Sequence, residues 1–170
     1  MLLSRDRLFS RTGLATIASL GIAGTVGAAL GFEHIGGYIP CALCLIQRIP
    51  YYVGLPVGIL AVLASWFGAP SWISRGLLVV LGLIMVVSAG LGVYHAGVEW
   101  QFWAGPADCS TSVNAVTTNA LDLLGDLDRV KPPSCSEASL RVLGLSFAGW
   151  NVITSLVLAG IALAGARRKA

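Results

Sequence analysis

Four long apolar runs, parted by short polar breaks and one long polar segment, set the pattern of this chain. The first run, Leu14–Gly31, follows Arg5, Arg7 and Arg11. At 1.5 Å per residue it reaches roughly 27 Å, close to the hydrocarbon thickness of a bilayer. A basic stretch before an apolar core also fits a cleaved signal peptide, but this core is long for one. A retained first span is expected, with Gly24, Gly27 and Gly31 as a small-residue stripe for close helix approach. Phe32–Pro40 is then a connection, marked by Glu33, His34 and the Gly36-Gly37 turn signal. The second run, 43–67, carries Pro50 and Pro56, tolerated in a span when neighbours satisfy the freed carbonyls. Gly68-Ala69-Pro70-Ser71 ends it, with Trp66 and Trp72 on either side at the level of an aromatic belt. The third span is 73–95, built on the apolar stretch Gly76–Val93. The fourth, 143–164, ends before Arg167-Arg168-Lys169.

Composition agrees with that reading. The chain is 56% hydrophobic and 11% charged, with a mean hydropathy of +0.81, far from a soluble domain. The predicted fold is an all-α membrane protein, a bundle of four transmembrane helices forming one membrane domain over residues 1–170. The net charge of +3 carries no nucleic-acid signal; its distribution is what informs. Of the 11 basic residues, Arg5, Arg7, Arg11, Arg75, Arg167, Arg168 and Lys169 lie at the termini or between spans two and three. The positive-inside rule makes that face cytoplasmic, with both termini inside and the loops 32–42 and 98–141 outside.

All four cysteines then fall on the outer side. Cys41 and Cys44 head the second span, and Cys109 and Cys135 sit in the long outer loop. Four cysteines permit three pairings. An oxidising compartment favours disulfides over zinc, which would want two close pairs of thiolates. Within the loop, apolar residues recur at 113, 116, 120, 123, 124 and 127, the period of a short amphipathic helix. Its polar face is acidic, so it is either a membrane-surface helix held by apolar burial or a small cap on the bundle. Lys131-Pro132-Pro133-Ser134 then delivers Cys135 on a stiff, extended segment.

The chemistry concentrates in Cys41-Ala42-Leu43-Cys44-Leu45-Ile46-Gln47-Arg48. On a helix, Cys44 and Arg48 are i and i+4 neighbours. A helix N-terminus and a nearby guanidinium both favour thiolate over thiol, and the thiolate is the reactive form. A structural disulfide, or half of a zinc site beside a snorkelling arginine, is the plainer alternative. An arginine inside a span is costly unless it has a function.

These residues, with Tyr94-His95 closing span three and Gly144-Leu145-Ser146 and Trp150-Asn151 in span four, resemble the bacterial disulfide bond formation protein B family (DsbB). The resemblance covers about Leu14 to Ala164, and CxxC-x3-R at the head of the second of four helices is its specific part. It implies an inner-membrane, disulfide-generating protein-dithiol:quinone oxidoreductase. Such a protein reoxidises a soluble periplasmic thioredoxin-fold oxidase (DsbA-like) and passes the electrons to a membrane quinone, ubiquinone or menaquinone. It implies that Cys109 and Cys135 exchange with that oxidase, Cys109 being the one attacked. Cys41 and Cys44 form the pair beside the quinone, with Cys44 as donor, Arg48 holding the quinone and His95 near its head. The chain departs from the pattern at Gln47, where some members carry glutamate, and at Glu99, where a neutral amide is expected.

Three rival readings remain to be weighed. A vitamin K epoxide reductase-type oxidoreductase also has four helices and two thiol pairs, but its CxxC belongs in a late helix. A reductant conveyor would need cysteines at membrane depth. A non-enzymatic membrane protein with two inert disulfides would leave Arg48 dispensable. The charge pattern yields a direct test of sidedness. Reporter fusions at Pro70 and at Ala115 should report opposite compartments; the same compartment from both would contradict four spans.

Overall fold

In the computed structural model, residues 9–106, 135, 136, 138 and 140–168 are described. Four helices account for most of them: α1 (Arg11–His34), α2 (Ala42–Trp66), α3 (Ser71–Glu99) and α4 (Phe147–Arg167). Each is long and apolar enough to cross a membrane. Successive helices run antiparallel and pack side by side, and α4 closes the ring against α1. This is the expected four-helix membrane bundle. The amphipathic helix expected over 113–127, and Cys109, lie outside the described residues.

Helix ends differ from the apolar runs where local backbone chemistry overrides hydropathy. Ser10 accepts from the Gly13 N–H at 3.1 Å and starts α1 at Arg11. That helix continues through Glu33 and His34, which the sequence places in a loop; the chain turns only at Gly37, whose φ of +70° suits glycine. At the other boundary, α4 begins at Phe147 and not near Leu143. Leu143 and Gly144, with φ of 54° and 82°, form the two-residue turn of a hairpin between β1 (Arg141–Val142) and β2 (Leu145–Ser146). Ser146 then caps α4 through the Gly149 N–H, and Trp150 Nε1 donates to Val142 O, tying the hairpin to the helix. The third helix extends to Glu99, so His95 and Glu99 share a face in its last turns.

The bundle interior is small and close. Ala15, Ala18, Ala61, Ala159 and Ala162 are buried around Ile22, Leu78, Leu81 and Met85, which fits helix association in lipid, where dense packing replaces the hydrophobic drive. The Gly24–Gly27–Gly31 stripe does not serve that purpose: a Cβ at any of the three meets nothing within 4 Å. Close approach is instead made elsewhere, as at Gly92, where a Cβ would lie 3.2 Å from the Val152 backbone nitrogen. At one end, buried Arg11 donates to Ser74 Oγ at 3.1 Å and to Arg168 O at 2.6 Å, linking the starts of α1 and α3 to the end of α4. Exposed Trp66 and Trp72 mark that end, and Trp100, Phe102 and Trp103 mark the other, the two aromatic levels of a bilayer.

Across the middle runs a buried polar chain. The Tyr51 hydroxyl donates to Asn151 Oδ1 at 2.7 Å and lies 2.7 Å from Ser155 Oγ, which donates to Ser88 Oγ at 2.9 Å. Three helices are joined by groups that would otherwise be unsatisfied in hydrocarbon. Packing at Gly92 gives a stability test. Gly92→Ala should cost about 1–3 kcal/mol by overpacking, while Gly27→Ala should be neutral or slightly stabilising, as expected for an open helical glycine. Thermal unfolding of the two purified variants in detergent distinguishes them; equal stability would contradict the packing described.

Candidate functional site

The site lies at the end of the bundle where α1 and α3 finish and α2 and α4 begin. Cys41 is the N-cap of α2, and its sulfur accepts the Cys44 N–H at 3.2 Å. The helix-end donor that the sequence suggests for Cys44 therefore goes to Cys41. Both are free thiols, Cys41 buried and Cys44 half-buried. The Cys41 thiol is pulled well below its usual value, to about 5. The hydrogen bond from the Cys44 thiol is the main cause, with help from the His95 ring and the Cys44 backbone, against burial, which acts the other way.

The two thiols face different surroundings. Cys41 packs with Leu43, Val98 and Cys135, and Cys135 is disulfide-bonded. The Cys41 and Cys135 sulfurs and a His95 ring nitrogen lie within 4.8 Å of one another. Such a trio is close enough for a metal ion, but a sulfur engaged in a disulfide lacks the thiolate charge that zinc takes. Cys44 packs against the edge of that cluster and, unlike Cys41, also lines a cavity of about 570 Å³ shared by α1, α2, α3 and α4. Its walls are mostly apolar: Gly24, Ala28 and Ala29 of α1, Phe147 and Ala148 of α4, and Ile39 and Pro40 from the connection. Phe32, Tyr38 and Phe147 meet edge to face at one margin, with Phe32 and Phe147 centroids 5.1 Å apart. A few polar groups converge on the same space, among them Arg48, Gln47, His95, Tyr51 and Asn151. This is the form of a small-molecule site: apolar bulk and few, fixed polar contacts.

Arg48 is held by Glu33, whose carboxylate accepts from Nη1. Sequence reading missed Glu33 because it treated the residue as part of a loop. The available signal was its opposite charge at the adjoining end of the neighbouring helix. Gln47 was noted only as a departure, yet it is buried and in hydrogen-bond contact with His95 Nδ1. His95 Nε2 lies 3.7 Å from Cys41 Sγ and 3.9 Å from Glu99 Oε1. The structure therefore brings together Cys41, Cys44, Cys135, Arg48 and His95; Cys109 is outside the described residues.

Comparison with known proteins agrees with this arrangement. The family model for disulfide bond formation protein DsbB matches residues 10–165. The chain belongs to the DsbB family. Among proteins similar to it, disulfide bond formation protein B of Marinobacter nauticus is 32% identical over 144 residues, 77% of each chain. That of Dechloromonas aromatica is 30% identical over 163 residues, 89% of this chain and 87% of its own. That of Ralstonia nicotianae is 31% identical over 139 residues, covering 80% and 81%. No solved structure matches the chain. Family membership, with four helices able to span a bilayer, makes this a multi-pass membrane oxidoreductase of disulfide bond formation.

Proposed function

We propose that the chain reoxidises a soluble periplasmic thioredoxin-fold oxidase of the DsbA type and passes the electrons to a membrane quinone. The observation that carries this reading is the division of the two thiols: Cys41 faces Cys135, while Cys44 faces the cavity. Electrons travelling from a soluble dithiol to a lipid-dissolved acceptor need such a hand-over between two surroundings. The segregation of basic residues supports inner-membrane insertion with the cysteine end periplasmic and both termini cytoplasmic, a compartment where disulfides persist.

In this reading the partner's thiolate attacks Cys109 of a Cys109–Cys135 disulfide and releases Cys135 as thiolate. Cys135 then attacks Cys41 of the Cys41–Cys44 disulfide. The Cys41–Cys135 bond forms, the Cys41–Cys44 bond breaks, and the electron pair remains on Cys44 Sγ at the cavity wall. The arrangement with Cys41 and Cys44 as free thiols and Cys135 in a disulfide is the stage at which the inner pair holds the electrons.

The residues present fit a quinone head. The apolar walls suit a flat ring, and the Arg48 guanidinium offers donors for a ring oxygen, with Tyr51 and His95 lining the same space. A bound quinone, ubiquinone or menaquinone, supplies the two-electron, two-proton acceptor. Arg48 supplies fixed positive charge on the side where negative charge develops, and Glu33 keeps the guanidinium oriented.

Two half-reactions test the proposal. A charge-assisted contact is worth about 1.5–3 kcal/mol, roughly ten- to more than a hundredfold in binding or rate. Arg48→Ala should therefore raise the quinone KM or slow quinone-dependent turnover by that order. Arg48→Lys should recover part of it, since an ammonium lacks the planar fork. In both, mixed-disulfide formation between the partner oxidase and Cys109, trapped by Cys135→Ala, should proceed as in the parent. Normal oxidation of partner thiols by Arg48→Ala with quinone limiting would contradict the assignment.

A further inference from the structure

We propose that Gln47 is a positioning residue that fixes His95 with its proton on Nε2, so that the ring donates to the Cys41 sulfur and keeps it a thiolate. The inference deepens the exchange reading above and rests on it for the step that uses Cys41.

A neutral imidazole has one N–H and one lone pair, and the partner of one nitrogen decides the role of the other. The Gln47 amide nitrogen meets Nδ1, while Cys41 Sγ at 3.7 Å and Glu99 Oε1 at 3.9 Å both face Nε2. With the proton on Nδ1, the Nε2 lone pair would point at a carboxylate oxygen and a sulfur, neither of which donates when ionised. With the proton on Nε2, the N–H faces the sulfur within hydrogen-bond reach, with the carboxylate oxygen just beyond it, and Gln47 donates to Nδ1. Water cannot readily substitute for the amide, since Gln47 is 7% and His95 3% exposed. The groups facing this pair are Cys44 and Gln47 from α2, Glu99 from α3, and Cys135; Arg48 and Glu33 pair with each other across the cavity. The Glu99 side chain is 5% exposed, and its Oε2 has no hydrogen-bond partner among the described residues. An Nε2–H thus faces that carboxylate as well as the sulfur.

The arrangement matters when Cys135 returns to its own disulfide. The Cys41–Cys135 bond breaks, the sulfur attacking Cys135 makes the new bond, and the electron pair stays on Cys41 Sγ. A leaving thiolate that already accepts the Cys44 N–H and the His95 Nε2–H leaves more readily.

The test reads thiolate content directly, on the full chain in detergent with Cys44→Ser, which retains a side-chain donor beside Cys41. Carboxamidomethylation of Cys41 by iodoacetamide is followed by mass spectrometry from pH 4.5 to 9. Gln47→Met keeps the side-chain length and removes the amide. It should raise the midpoint of the labelling profile by about one unit, which approaches a tenfold slower reaction only at pH values below both midpoints, with the pH 9 rate unchanged. His95→Phe should match Gln47→Met, and the double variant should lose nothing more. A Gln47→Met profile identical to the parent's, slowing equal at every pH, or additive losses in the double variant would each overturn the proposal. No quinone enters the measurement, so its failure leaves the proposed electron acceptor standing, and failure of that acceptor leaves this result intact.

Discussion

The first turn of α2 is the constraint on which the site depends. A residue at the N-cap has extended backbone, and its side chain folds back over the first free amides of the helix. Cys41 occupies that position and spends its sulfur on the Cys44 N–H. Cys44, three residues on and already helical, projects toward the space bounded by α1 and α4. A two-residue spacer at a helix start thus separates the duties of a thiol pair: one sulfur is stabilised as an anion beside a disulfide, and the other is exposed to a membrane cavity. The same spacing in the middle of a helix would leave both sulfurs without the free amide.

The surrounding helices hold that turn in place by satisfying polar groups where water is scarce. Gln47 reaches His95 on α3, Arg48 reaches Glu33 on α1, and Tyr51 reaches Asn151 and Ser155 on α4. One helix therefore extends a polar side chain to each of its companions over little more than one turn. In lipid such contacts fix register as well as contributing energy, because a slipped helix leaves each of them unpaired.

Much of this was legible beforehand, for physical reasons. Four spans follow from hydropathy, because a bilayer demands length and apolarity and little else. The thiol motif at the head of the second span carried the family resemblance, and the family comparison agrees. What the pattern did not reveal depends on backbone detail or on pairs distant in sequence. Glu33 stood one turn past the apolar run and read as loop, because hydropathy ends before the helix does. Gly144-Leu145-Ser146 read as span four, because a hairpin with two positive φ angles leaves no hydropathy trace. The small-residue stripe of α1 read as a helix contact, yet Gly24 looks into the cavity. Gln47 and Glu99, noted separately as departures 52 positions apart, prove to flank a single imidazole.

The central claim is the division of duties between Cys41, next to Cys135, and Cys44, at the cavity wall, and pairwise disulfide mapping tests it most directly. In the full chain carrying Cys44→Ala and Cys109→Ala, the remaining Cys41 and Cys135 should join on mild oxidation, and peptide mass spectrometry should recover that bridge. With Cys41→Ala and Cys109→Ala, Cys44 and Cys135 should stay reduced under the same conditions. A Cys44–Cys135 bridge forming as readily as the Cys41–Cys135 bridge would contradict the account.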